Sequence, residues 1–277
     1  MITNYIDNES CQHKANCRFN NNKMKTMSDT SEITFSNYGI YDLGDDLELL
    51  LPNTLIKFQR ISDDAFSYFR ENSEGQTIEK IIPIKSNDVK IGLVPIRPLN
   101  HPAKRTNYVF LKLDKEIHLG ENSAASIFVH CPIEIGIFLI YGDNHEPLDW
   151  VTCNHLNSRF SLYGSPDTGT LCKYAEVSLA TDYNDSISYV NGVMHIVIEN
   201  TLSFAQTISK VIFPITDNNL YYNNSKSIVD GIKIIMKKRA AVNIAEVKPT
   251  LVDTEWTQAP GWDNSTDSVH HMEMTLE

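Results

Sequence analysis

The residue of this chain best placed to do chemistry is a carboxylate set among hydrocarbon. Glu134 falls inside residues 126–141, SIFVHCPIEIGIFLIY, where almost every neighbour is apolar. A carboxylate drawn into low dielectric can exchange protons near neutral pH or hold a cation. The cations close to it in sequence lie in a proline-punctuated passage, LVPIRPLNHPAKR, which supplies Arg97, His101 and Arg105. Three roles stay open. Glu134 faces water on a half-exposed sheet, which is the plainest reading. It forms a structural ion pair with Arg97 or Arg105 that pins the passage to the strand. Or it lines a ligand pocket together with Arg97, Arg105 and His101.

The thiols and imidazoles carry less. Cys153 and His155 are two residues apart, and His130, Cys131, His145 and Cys172 are near them in sequence. Structural zinc sites show short, regular ligand pairs twice over, and here there is one pair of unusual spacing. No metal and no cofactor is therefore expected. Cys11, His13 and Cys17 belong to a polar arm and weigh less still. Residues 164–170, GSPDTGT, have glycine spacing like a phosphate loop but lack its lysine, so they read as a turn. Asp42, Asp45, Asp46 and Glu48 lack the spacing of a calcium loop and read as a solvated turn. No nucleophile elbow or Ser/His/Asp spacing is present, so no catalytic residue is assigned.

The elements that must position these groups are strands. Residues 54–61 alternate, with Ile56 and Phe58 on one face and Lys57 and Gln59 on the other. Residues 65–71 and 76–84 flank Asn72-Ser73-Glu74-Gly75 as a hairpin. Three prolines (Pro95, Pro98, Pro102) forbid a helix or a central strand and predict a connector. Beyond it, residues 107–114, 193–200, 207–214 and 228–236 alternate again, and residues 126–141 read as two buried strands meeting at Pro132. Residues 236–247 fit either helix or strand. The expected fold is all-β: an N-terminal β meander with its connector over 37–103, then an immunoglobulin-like β-sandwich over 104–248. Polar residues 1–36 and acidic residues 249–277 read as disordered arms.

Charge and composition narrow the partners. The net charge of −11 includes six acidic residues after Lys248 and no basic ones, leaving 24 basic against 29 acidic residues elsewhere. That balance disfavours nucleic acid. No apolar run is long enough for membrane insertion by a helix. The N-terminal MITNYIDNESCQHKANC lacks a secretion signal's apolar core, and five irregularly spaced cysteines suit a reducing, cytoplasmic setting. Two features suit a protein partner. Trp256 and Trp262 in the acidic tail are candidate docking residues. Lys233, Lys237, Lys238 and Arg239 form a basic knot whose plain reading is a strand edge blunted by charge.

The segments NYGIYDL, VPIRPLNHPAKRTNYVFLKLDKEIHL and CPIEIGIFLIYG occur in this order, with a P-x-x-P-x-x-x-P connector and a Pro-Ile-Glu-Ile-Gly strand. Over residues 38–236 the chain resembles archaeal domain-of-unknown-function family 432. Arg97 departs from the family pattern, which often has an acidic residue there. The resemblance implies an archaeal, cytoplasmic β protein and no activity. Together these observations predict a non-catalytic binding or scaffolding module, working through its sandwich surface or its tail. The alternative is a small-ligand-binding protein or enzyme with a pocket near Glu134 and the connector.

Overall fold

Apolar and polar residues alternate through most of the chain, and the backbone answers with strands. A computed structural model describes residues 34–84, 88–98, 106–154, 159–239, 242–262 and 272–275. Among these residues are twenty strands, numbered in chain order, one 3-10 turn at Tyr183–Asp185 and no α-helix. The all-β expectation therefore holds.

Four strands, β2 (Asp46–Leu51), β3 (Thr54–Ser62), β4 (Ala65–Asn72) and β5 (Thr77–Pro83), form an antiparallel meander in the order 2-3-4-5. The β4–β5 turn carries Gly75 at φ 76°, a conformation that glycine adopts without steric cost. A second antiparallel sheet has the order β1 (Gly39–Asp42), β6 (Lys90–Ile96), β9 (Glu134–Tyr141), β10 (Asn144–Val151). In a third, β11 (Arg159–Tyr163), β12 (Thr170–Val177), β7 (Tyr108–Leu119) and β15 (Gln206–Pro214) lie side by side. The largest sheet runs β13 (Leu179–Ala180), β8 (Ser123–Pro132), β14 (Asn191–Asn200), β17 (Lys226–Arg239), β16 (Leu220–Asn223), β19 (Thr257–Gln258). Its β17 also pairs with β18 (Val242–Thr250), and β18 pairs with β20 (Met272–Thr275). Residues 236–239 and 242–247 are thus extended. Two pairs, β7 with β12 and β14 with β17, are parallel, which the antiparallel immunoglobulin pattern does not contain.

The run 126–141 turns a corner. Its first half, β8, pairs with β14 in the largest sheet, and its second half, β9, pairs with β6 and β10. Pro132 ends β8, so the chain leaves one layer and enters another there. Both faces of β9 are buried. The face of Ile135, Ile137 and Leu139 meets the meander, to which Asp149, directly opposite Ile137, is tied by Tyr68. The face of Glu134, Gly136 and Phe138 meets the third sheet and the C-terminal segment. One apolar core runs through all four sheets, including Phe58, Leu93, Ile137, Leu111, Met194 and Ile232.

Four features differ from the sequence expectation. The connector does not exclude a central strand, because Pro95 belongs to β6, between β1 and β9. The pairing with β1 covers only Lys90 to Leu93, so Pro95 stands beyond that ladder and its missing N–H costs no bond on that side. The boundary near residue 103 is bridged by the β6–β9 ladder, so residues on either side of it share a sheet. Residues 249–262 are not a disordered arm: β19 pairs with β16, Ala259 is buried, and Trp262 packs on the core. Of the basic knot on β17, Lys233 lies between β14 and β18 and blunts no edge, whereas Lys237, Lys238 and Arg239 run past β14 and pair with β18 alone. Lys233 is ion-paired with Glu199 at 2.6 Å and Lys237 with Glu246. Residues 1–33 lie outside the described residues.

Candidate functional site

Glu134 opens β9 opposite Ile96, the last residue of β6. Direct partners in a ladder share a face, so the Glu134 side chain points where Ile96 points. That face is covered, and Glu134 is only 3% exposed. The reading in which it faces water is overturned. The cause is the corner at Pro132, which lays this face of β9 against the third sheet. From that sheet Lys173 reaches across, with its Nζ 3.7 Å from Glu134 Oε1. Lys173 is 8% exposed, and its ammonium also lies 5.7 Å from the centre of the Phe160 ring. Burial pulls the Lys173 pKa below its ordinary value, while the Glu134 carboxylate pulls it back up. The pair ties the second sheet to the third.

Lys173 carries no sequence signal of its own, since nothing in the spacing of residues 134 and 173 announces a contact. The parallel β7–β12 pairing makes it, by putting Lys173 opposite Val109 on the inward face of the third sheet. The sequence-predicted partners fare differently. Arg97 follows Ile96 directly, and its Nε donates to the carbonyl oxygen of Asn218 at 2.9 Å. Asn218 in turn donates its side-chain amide to the carbonyl of Asp230. Arg97 is thereby set between the end of β6 and the β16–β17 hairpin. His101 and Arg105 lie outside the described residues, as does His155.

Beside Arg97 there is a recess of about 60 Å³. Its walls include Ile96 from β6, Arg97 just beyond it, Leu220 from β16, Gln258 and Ala259 around β19, and Trp262. Trp262 meets Phe138 edge-on with ring centroids 5.4 Å apart, so it lies over the face of β9 that also carries Glu134. Gly136 makes the close approach possible, because a Cβ there would stand 2.6 Å from Phe138 and 2.7 Å from Ile96. The C-terminal wall is held by Asp230, which is fully buried in β17. Its carboxylate accepts from the backbone N–H of Asn219 at 2.9 Å and of Val252 at 3.0 Å. The Asn219 side-chain amide donates to it as well, at 2.8 Å.

Two further polar groupings escape sequence reading because their members are far apart in the chain. Tyr68 donates to Asp149 at 2.6 Å, and Arg70 reaches the same carboxylate at 3.4 Å and the carbonyl of Trp150 at 2.6 Å. This cluster fastens the meander to β10. Ser126 Oγ and His195 Nε2 share a hydrogen bond of 2.6 Å across β8 and β14, and His195 stacks on Phe128. Among the described residues no group of three His, Cys, Asp or Glu could hold a metal ion. Cys131, Cys153 and Cys172 are buried free thiols, and burial pushes Cys131 up to about 12 and Cys172 up to about 11. Trp256 is half-buried, and its backbone N–H bonds to Thr254. No helix among the described residues is long and apolar enough to cross a membrane.

Residues 37–266 match the model of a family described as Protein of unknown function (DUF432), and the match takes in every element of this site. The chain belongs to that family. No curated protein and no solved structure matches it. For this DUF432 protein the argument about function therefore rests on its own side chains.

Proposed function

We propose that this DUF432 protein is a non-catalytic binding protein whose recognition element is the recess between the start of the proline connector and the C-terminal segment. One observation carries the reading: Arg97, an arginine held in place by a backbone carbonyl, shares a 60 Å³ recess with the Trp262 ring. Fixed polar groups converging with apolar walls are what a small-molecule site requires. The buried Glu134–Lys173 pair supports this site from behind, by fixing the start of β9 against the third sheet. Three buried thiols suit work in a reducing compartment such as the cytoplasm.

Ligand-observed NMR against a library of small polar fragments tests the reading. Fragments are expected to bind the unaltered protein and to be weakened in Trp262→Leu, which takes the indole ring out of one wall. A library without a single binder sensitive to that change would end the proposal. A second reading, a scaffolding surface for another protein, is favoured by Ile81 and Ile61, which are 72% and 53% exposed on the meander. Ile81→Lys should then remove a partner from pull-downs, and an unchanged set of partners would count against it.

A further inference from the structure

We infer that Ser126 is an acyl-acceptor site, a serine that takes a small acyl group from an activated ester with His195 as its base. The recess plays no part in it. The two residues stand on neighbouring strands of the largest sheet, β8 and β14, and Ser126 Oγ and His195 Nε2 share a hydrogen bond of 2.6 Å. A hydroxyl is a weak nucleophile by itself, and a base within hydrogen-bond reach is what activates it. That base must also be oriented. The ladder sets Phe128 directly opposite His195, and the two rings stack with centroids 4.9 Å apart. Tyr183 closes on the Phe128 ring edge-on at 5.0 Å. Packing thereby fixes the imidazole, with Nε2 aimed at the serine two residues along the facing strand from Phe128.

The backbone adds a second component. Along a strand, successive N–H groups point alternately to its two sides. The His130 N–H bonds to the carbonyl of Ser178, on the β13 side of β8, so Phe128 and Ser126 direct theirs to that side too. There β13 ends at Ala180, opposite Phe128, and the chain leaves towards the 3-10 turn. Among the described residues no strand stands beside Ser126 on that side, and its N–H faces the open edge. The side chain of Ser126 is exposed. A carbonyl attacked by Oγ therefore finds one N–H close by for the charge that develops on its oxygen.

The chemistry balances without a cofactor. Oγ bonds to the ester carbonyl carbon and its proton passes to Nε2. The leaving alcohol or phenol then departs with the electron pair of the broken C–O bond and takes the proton from Nε2. The product is an acyl-serine. Serine proteases place two N–H donors on the oxyanion, and the loss of one costs about 10²–10³ in rate. Only a donor with a good leaving group reacts at such a site. The alkyl ester formed on Ser126 lacks one and persists, so the serine is modified once and does not turn over, in keeping with a binding protein.

Peptide mapping by mass spectrometry, on the full chain sampled over time with 4-nitrophenyl acetate, tests the inference. Ser123 on the same strand is the comparison, because its hydroxyl bonds to the carbonyl of Gly120 instead of to an imidazole. Ser126 is expected to be acetylated at least about a hundredfold faster than Ser123, and His195→Gln to slow Ser126 by about a hundredfold, the lower end of what a positioned base supplies. The comparison of the two serines needs no variant, so a folding defect in His195→Gln does not blunt it. Equal rates at Ser126 and Ser123 would overturn the inference, as would acetyl groups confined to lysines. A Ser126 rate unchanged in His195→Gln would overturn it as well, since the serine would then react without that base.

Discussion

A single glutamate shows how burial changes the meaning of a residue. Glu134 in water would be inert; at 3% exposure it must be compensated, and Lys173 provides the opposite charge. Buried pairs of this kind add little net stability, because desolvation cancels most of the attraction, but breaking one leaves a charge stranded. Lys173→Met is therefore expected to cost about 3–5 kcal/mol in urea unfolding, and Lys173→Met combined with Glu134→Leu to recover most of that loss. A double variant as unstable as the single one would show that the two side chains do not act as a pair. Tyr68 makes a second prediction at this scale. Burial and then the Asp149 charge raise its phenol pKa far above the ordinary value of 10.0. A group raised in the folded state contributes stability below its unfolded pKa and loses it as pH climbs above that value. Unfolding midpoints should thus fall as pH rises beyond about 10, and Tyr68→Phe should make the fall shallower. An unchanged slope in Tyr68→Phe would exclude Tyr68 as a source of the alkaline loss.

Strands were legible where a single face is buried, and misjudged where both are. Residues 54–61 alternate cleanly, and β3 runs from Thr54 to Ser62 as the pattern predicts. In β9 every residue from Glu134 to Ile140 is buried, so alternation carries no information about which face meets which layer. The meaning of Glu134 was therefore hidden, although its place at the head of a core strand was not. Pro95 misled for a different reason. Proline disfavours a ladder, yet β1 ends before reaching it, and sequence does not say how far a neighbouring strand extends. The same crowding makes Gly136 a test of the element. Added to Gly136, a methyl meets the side chains of Phe138 and Ile96 well inside contact distance. Gly136→Ala should destabilise by about 1–3 kcal/mol, the cost of overpacking a filled layer. A loss under a few tenths would mean that Phe138 and Ile96 can shift, and that β9 is less tightly held than its burial implies.

At the scale of the whole molecule, the C-terminal segment is a clasp. Composition made residues 249–277 look like a solvated tail, since they are acidic and aperiodic. What orders residues 251–262 is not periodicity but a few separate anchors: Val252 on Asp230, the β19–β16 pairing with Ala259 bonded to Leu220, and Trp262 on Phe138. Each anchor depends on a partner at least twenty residues away in the chain, which no local pattern reveals. They also join layers, because β16 belongs to the largest sheet and Phe138 to the sheet of β9. Ending the chain after Thr250 keeps the residues of β18 while removing all three anchors together with β20, its partner strand. It uncovers Phe138 and leaves the Asp230 carboxylate with fewer donors, for an expected loss of about 2–4 kcal/mol. At about 2–4 °C per kcal/mol for a protein of this size, the melting temperature should fall by roughly 5–15 °C. Trp262→Ala, which removes one anchor, should produce a smaller drop in the same direction. If the shortened chain melts where the full one does, the segment is a passenger on the surface, and it cannot form a wall firm enough to select a ligand.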